Sequence, residues 1–263
     1  MNIRVAGLAA ITGAMLFCLA MPASAQDVTI DFTGIANPNV QALGAYAGYY
    51  TGTVTANGVT TASEPGFICD DYNDEIFLPN ESWQATATSF ASLVTPGGSV
   101  NTTALNGLLF GQSIGIDGYA AIAYLSNLMA TASPSTQADI SAAIWYIGSI
   151  GSGTLSLSSL DSGAQSLVNS LIGGAGEFGA IGSATSAALA ELESSSLWIY
   201  TPTGQDIEPQ DDPFPQEFIG SVAVVSAPEG GAPLLYLLLA AAACFGAMSF
   251  RYRRQRSQGA TLA

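Results

Sequence analysis

Between Asp27 and Glu229 the chain carries 20 carboxylates and not one lysine, arginine or histidine. A segment of charge −20 with no counter-charge cannot hold itself together through salt bridges. Its fold must rest on apolar burial and backbone hydrogen bonds. The composition permits this. Hydrophobic residues make up 49% of the 263-residue chain, aromatics 9%, and the mean hydropathy is +0.37. That lies outside the range of disordered chains. The same pattern excludes several functions. Without lysine or arginine the segment cannot neutralise phosphates, so nucleic acid is not an expected partner. The lysine of a P-loop is missing. Without histidine there is no Ser-His-Asp or Cys-His catalysis and no histidine-ligated metal.

All five basic residues lie outside this segment: Arg4, Arg251, Arg253, Arg254 and Arg256. They mark two targeting regions. Residues 1–25 read as a secretory signal peptide, with Arg4 as its positive start, Val5 to Ala20 as its apolar stretch and Ala23-Ser24-Ala25 as its cleavage site. The mature chain would begin near Gln26. Ala232 to Phe250 is a second apolar run, about 28 Å long as a helix, which matches one hydrocarbon core. The arginines follow it at once, which predicts a transmembrane helix over 232–250 with the basic tail 251–263 in the cytoplasm. The expected localisation is therefore an exported domain on a single pass through the inner membrane. Residues 26–204 form the predicted acidic domain, and residues 205–231 a linker with room for a last strand.

Within the domain, Val28 to Thr33, Ala47 to Thr55, Gly66 to Asp70 and Trp83 to Thr88 read as strands, with Asn57-Gly58 as a hairpin turn. The pattern then becomes helical. Ile122, Leu125, Leu128 and Met129 share one face. Ser133-Pro134 starts another helix, which should end near Ile147 with Gly148 beyond it. Asp161 can cap a third, and Ser183 to Ser194 a fourth. Leu197 to Tyr200 and Phe218 to Val225 read as strands again. The predicted class is α+β, with strands at both ends of the domain around a central helical region, plus one C-terminal transmembrane helix.

Pro228-Glu229, the apolar run and Arg251, Arg253, Arg254 and Arg256 together resemble a PEP-CTERM sorting signal. The resemblance covers residues 225–256. It implies processing by an exosortase-type enzyme at the inner membrane, and delivery to the cell surface or extracellular matrix. The chain departs from the Pro-Glu-Pro pattern, since Gly230 follows Glu229.

Cys69 is the one cysteine of the predicted exported domain, Cys18 and Cys244 lying in the two terminal apolar runs. An internal disulfide is therefore excluded there. Tyr49-Tyr50-Thr51-Gly52, Phe67-Ile68-Cys69-Asp70, Trp83-Gln84-Ala85, Ala142-Ala143-Ile144-Trp145, Trp198-Ile199-Tyr200 and Pro215-Gln216-Glu217-Phe218 form a set that resembles exported PEP-CTERM proteins. The set is also similar to bacterial thioester adhesin domains. That resemblance implies a cysteine at position 69 joined to a glutamine four residues before the tryptophan. Ser141 stands at that position, and Gln137 lies one helical turn earlier. The expectation is a free Cys69 in a remnant of such a site.

Asp70, Asp71, Asn73, Asp74 and Glu75 form an acidic cluster in which 71, 73 and 75 have the alternating spacing of a calcium loop. Ile76 and Ser82 replace the glycine and glutamate an EF-hand requires, which leaves a looser Ca²⁺ site as the expectation for a cofactor. Trp83, Trp145 and Trp198 read as core residues. The resulting expectation is a non-enzymatic cell-surface or extracellular-matrix protein, associated with extracellular polysaccharide. A covalent thioester adhesin and a Ca²⁺-dependent polysaccharide-binding module are the alternatives.

Overall fold

The computed structural model describes residues 25–63, 65–72, 81–203 and 216–221. The chain divides into two compact units, residues 1–224 and 225–263, and the second lies wholly outside the described residues. Nine strands are present among the described residues: β1 (Gln26–Ile35), β2 (Gln41–Ala42), β3 (Ala45–Tyr46), β4 (Tyr50–Ala56), β5 (Val59–Ala62), β6 (Phe67–Cys69), β7 (Ser82–Ser89), β8 (Trp198–Pro202) and β9 (Phe218–Gly220). The helices are α1 (Thr102–Asn106), α2 (Gly111–Met129, kinked at Gly115), α3 (Pro134–Ser149), α4 (Ser162–Leu171) and α5 (Ser186–Ser194).

Six strands pair in the order β1-β7-β8-β9-β6-β4, all antiparallel, and β4 pairs back onto β1. The sheet is thus a closed six-stranded barrel. This overturns the expected arrangement of separate strand blocks around a helical centre. The early strands β4 and β6 and the late strands β8 and β9 are neighbours in one barrel. Closure leaves only the short, exposed β5, which pairs with β4 outside the ring, as an edge of this sheet. Strand β9, in the stretch expected as a linker with room for a last strand, closes the gap between β8 and β6. No helix among the described residues is long and apolar enough to cross a membrane, and the expected span over 232–250 lies outside them.

Alternation of side chains explains the two cores. Val28, Ile30 and Phe32 of β1, Trp83, Ala85 and Ala87 of β7, and Trp198, Tyr200, Phe67 and Phe218 fill the barrel. Phe32 sits at the centre of an aromatic cluster, with ring centroids 4.6 Å from Phe218, 4.9 Å from Trp83 and 5.1 Å from Phe67. Ile68, Ile199 and Ile219 point the other way, into a second core made by the helices. Strands β6, β8 and β9 are therefore buried on both faces, whereas β1 and β4 alternate between buried and accessible positions.

Local signals act as their chemistry requires. Asn57 and Gly58 both adopt positive φ, 52° and 77°, in the tight turn joining β4 to β5. Ser133 caps α3 by accepting from the Thr136 amide at 3.3 Å, with Pro134 in its first turn. Asp161 caps α4 through the Ala164 amide at 2.9 Å. Helix α3 does not stop before Gly148, however. It runs through Ser149, and Gly148 serves for close approach instead: a Cβ there would stand 2.6 Å from the carbonyl oxygen of Asp70.

Candidate functional site

Two chain segments meet at one end of the barrel, and each brings two consecutive polar residues. Cys69 ends β6 and Asp70 follows it; Gln216 and Glu217 lead directly into β9. Cys69 stands opposite Phe218 in the sheet, and the pairing extends to the Asp70 amide and the Glu217 carbonyl at 3.5 Å. Successive side chains point to opposite sides. Cys69 thus belongs to the barrel core, and Glu217 reaches out to the helical layer.

On the inner side, the Cys69 sulfur lies 3.1 Å from Oε1 of Gln216 and 2.8 Å from the Asp71 carbonyl oxygen. Cys69 and Gln216 are each only 4% exposed. Burial pushes the Cys69 thiol well above its ordinary value, and the carboxyls of Asp70 and Asp71 add to the shift. The sulfur is therefore protonated at neutral pH and is a poor target for oxidants. Trp145 donates its indole N–H to the Cys69 carbonyl at 3.1 Å, which ties α3 to the end of β6. The Trp145 ring packs with Val40 and Ala47, beside the β2–β3 hairpin. Tyr72 donates to the Leu43 carbonyl at 3.2 Å from the chain just beyond Cys69.

On the outer side, Asp70 and Glu217 are both fully buried. Glu217 accepts from the Tyr119 hydroxyl at 2.7 Å, the Leu109 amide at 3.0 Å and the Thr201 hydroxyl. Among the described residues, no N–H or O–H of a neighbour reaches either carboxyl oxygen of Asp70. Its polar neighbour is Glu217, and two carboxylates cannot hydrogen-bond without a proton between them. Burial raises Asp70 well above the carboxylate range, and the facing Glu217 raises it further. Burial also raises Glu217, against the pull of its donors. The three donors on Glu217 favour its charged form, whereas burial and the facing Glu217 both disfavour charge on Asp70.

The residues singled out in the sequence fall differently. Ser141 is buried and donates to the Ala47 carbonyl at 2.6 Å, so it fastens the segment beside β3 rather than facing the sulfur. Gln137 is half-buried and its amide donates to the Met129 carbonyl at 3.4 Å. Neither is paired with Cys69. Asp70 faces Glu217 on the helical side of the sheet, and Asp71 is buried as well. Asn73, Asp74 and Glu75 lie outside the described residues, as do Pro228, Glu229 and the four C-terminal arginines. Among the described residues no group of three or more metal-binding side chains is assembled. Trp83, Trp145 and Trp198 are all buried.

Gln216 and Glu217 carry no site signal of their own in the sequence. Both stand in the Pro215-Gln216-Glu217-Phe218 element of the resemblance, and that element was the available signal. No family model, no curated protein and no solved structure matches this chain.

Proposed function

We propose that the protein is an exported cell-surface or extracellular-matrix protein whose barrel domain closes an internal thioester between Cys69 and Gln216, and uses it to acylate an amine on a partner surface. The observation that carries this reading is the 3.1 Å approach of the Cys69 sulfur to the Gln216 carboxamide in a buried site. Thioester closure forms the bond from sulfur to Cδ and breaks the bond from Cδ to Nε2. The thiol proton leaves with the nitrogen, and ammonia is released. Attack by a primary amine on Cδ then breaks the C–S bond, returns the thiol and leaves a covalent amide. Holding the two groups in contact supplies the proximity such a reaction needs, and exclusion of water protects the product from hydrolysis. The reaction happens once per molecule, so the protein is an adhesin and not an enzyme.

Export and sorting are part of the same proposal and rest on the sequence. The signal peptide ends where β1 begins, at Gln26, so its removal takes nothing from the barrel. Residues 225–256 supply the signal for an exosortase-type enzyme. A biotinylated primary amine tests the chemistry. It should attach to Gln216 in the wild-type protein, and Cys69→Ser should abolish labelling. Equal labelling of both proteins would contradict the reading.

A further inference from the structure

We propose that Asp70 and Glu217 are positioning residues for this site: they share a single proton, and that proton holds the Gln216 segment in register against Cys69. The inference rests on the thioester reading for its purpose, but the clamp has its own geometry. Each carboxyl belongs to the residue that directly follows one reacting partner, Asp70 after Cys69 and Glu217 after Gln216. The backbone pairing between these segments is thin at this point, since the Asp70 amide lies 3.5 Å from the Glu217 carbonyl. The carboxyl contact supplies what the ladder lacks.

The surroundings favour one proton and no more. Glu217 is prepared as the anion by Tyr119 from α2, the Leu109 amide from the stretch before α2, and Thr201 from β8. Asp70 is fully buried and no neighbour among the described residues donates to either of its oxygens, so an ionised Asp70 would be a poorly compensated charge in a dry interior. Protonated, it donates to Glu217 and both groups are satisfied. Among the described residues, the other titratable groups acting on the pair are Tyr119 and the adjacent Asp71 and Cys69, and each can add only negative charge. Helix α3 brings Gly148 against the Asp70 carbonyl. No lysine, arginine or histidine exists between residues 27 and 229 to replace the proton. Loss of the proton sets two carboxylates face to face and drives apart the segments that carry Cys69 and Gln216.

The test uses the purified full chain as wild type, Asp70→Asn and Asp70→Ala. Melting temperature and the ammonia-sized mass deficit after refolding are followed from about pH 5 to about pH 9. The wild type should melt lower as pH rises and lose its deficit over the same range. Asp70→Asn keeps a donor to Glu217 with nothing to titrate, so its melting curve should be flatter and its deficit independent of pH. Asp70→Ala should form the thioester slower by on the order of a hundredfold at low pH, the effect of misplacing reacting groups. Should it fail to fold, the comparison of wild type with Asp70→Asn still decides. Parallel pH profiles in those two proteins would overturn the clamp. Absence of the deficit from the wild type at every pH would sink the thioester reading alone, and the clamp would then be judged on the two melting profiles.

Discussion

The thiol of Cys69 and the carboxamide of Gln216, 147 positions apart in the chain, meet at 3.1 Å inside the end of a closed barrel. Barrel closure makes the meeting possible. Strand β9 enters between β8 and β6, and the residues leading into it fall beside the end of β6. Several long-range hydrogen bonds surround this contact. Trp145 ties α3 to the Cys69 carbonyl, Ser141 ties it to Ala47, and Glu217 ties β9 to α2 and β8.

The role of Ser141 is structural, and substitution separates it from acyl donation. Ser141→Ala leaves the buried Ala47 carbonyl without its 2.6 Å partner. Loss of about 1–3 kcal/mol is expected in urea unfolding. Ser141→Gln should also destabilise, because a longer side chain must enter a buried position, and it should leave the thioester yield unimproved. A higher yield in Ser141→Gln would show that this position is the acyl donor after all.

Gly148 sets how closely α3 approaches β6. Its added Cβ would fall 2.6 Å from the Asp70 carbonyl oxygen, so Gly148→Ala must push the helix away. Overpacking of this kind costs about 1–3 kcal/mol. The Trp145 hydrogen bond to the Cys69 carbonyl should weaken with it, visible as greater solvent quenching of Trp145 fluorescence. Unchanged stability would mean that the interface is looser than described.

Stability should fall as pH rises. Asp70 is raised above its unfolded value by burial first and by Glu217 second, and Glu217 is raised by burial. A raised carboxyl holds its proton in the folded state after the unfolded chain has released it. Its stabilisation is complete below the ordinary carboxylate value of about 4 and is lost as pH climbs through the folded value. One such proton gives a slope of about 1.4 kcal/mol per pH unit within that window. Urea unfolding at a series of pH values measures it. A stability that increases from pH 4 upward would contradict the protonated assignment.

Charge should select the amine. The segment from Asp27 to Glu229 carries 20 acids and no base, so a polycationic amine is drawn to it and a neutral amine of similar reactivity is not. Acylation of a diamine should slow as salt is raised, because the Debye length shrinks to about 3 Å at 1 M. Acylation of a neutral amine should hardly change. Equal salt dependence for both would exclude steering.

What the sequence revealed was local. The Ser133-Pro134 start, the Asp161 cap and the Asn57-Gly58 turn are decided by neighbours within a few residues. Barrel closure was not legible, because β6 and β9 are three residues each and buried on both faces. Such strands show no alternation to count. Gln216 and Glu217 were hidden for a related reason. They end an acidic, proline-rich stretch with the composition of a linker, and only the pairing of Phe218 with Cys69 shows that the barrel resumes there. The position four residues before Trp145 holds Ser141, bonded to Ala47, whereas the glutamine beside the sulfur is brought there by the pairing of β6 with β9.

Intact mass of the purified protein under non-reducing conditions tests the central claim most directly. The Cys69–Gln216 thioester predicts a mass lower than the sequence requires by one ammonia, a deficit that methylamine replaces by addition and that Gln216→Ala and Cys69→Ser each abolish. A full mass in the untreated wild type, with Cys69 titrating as a free thiol after unfolding, would contradict it.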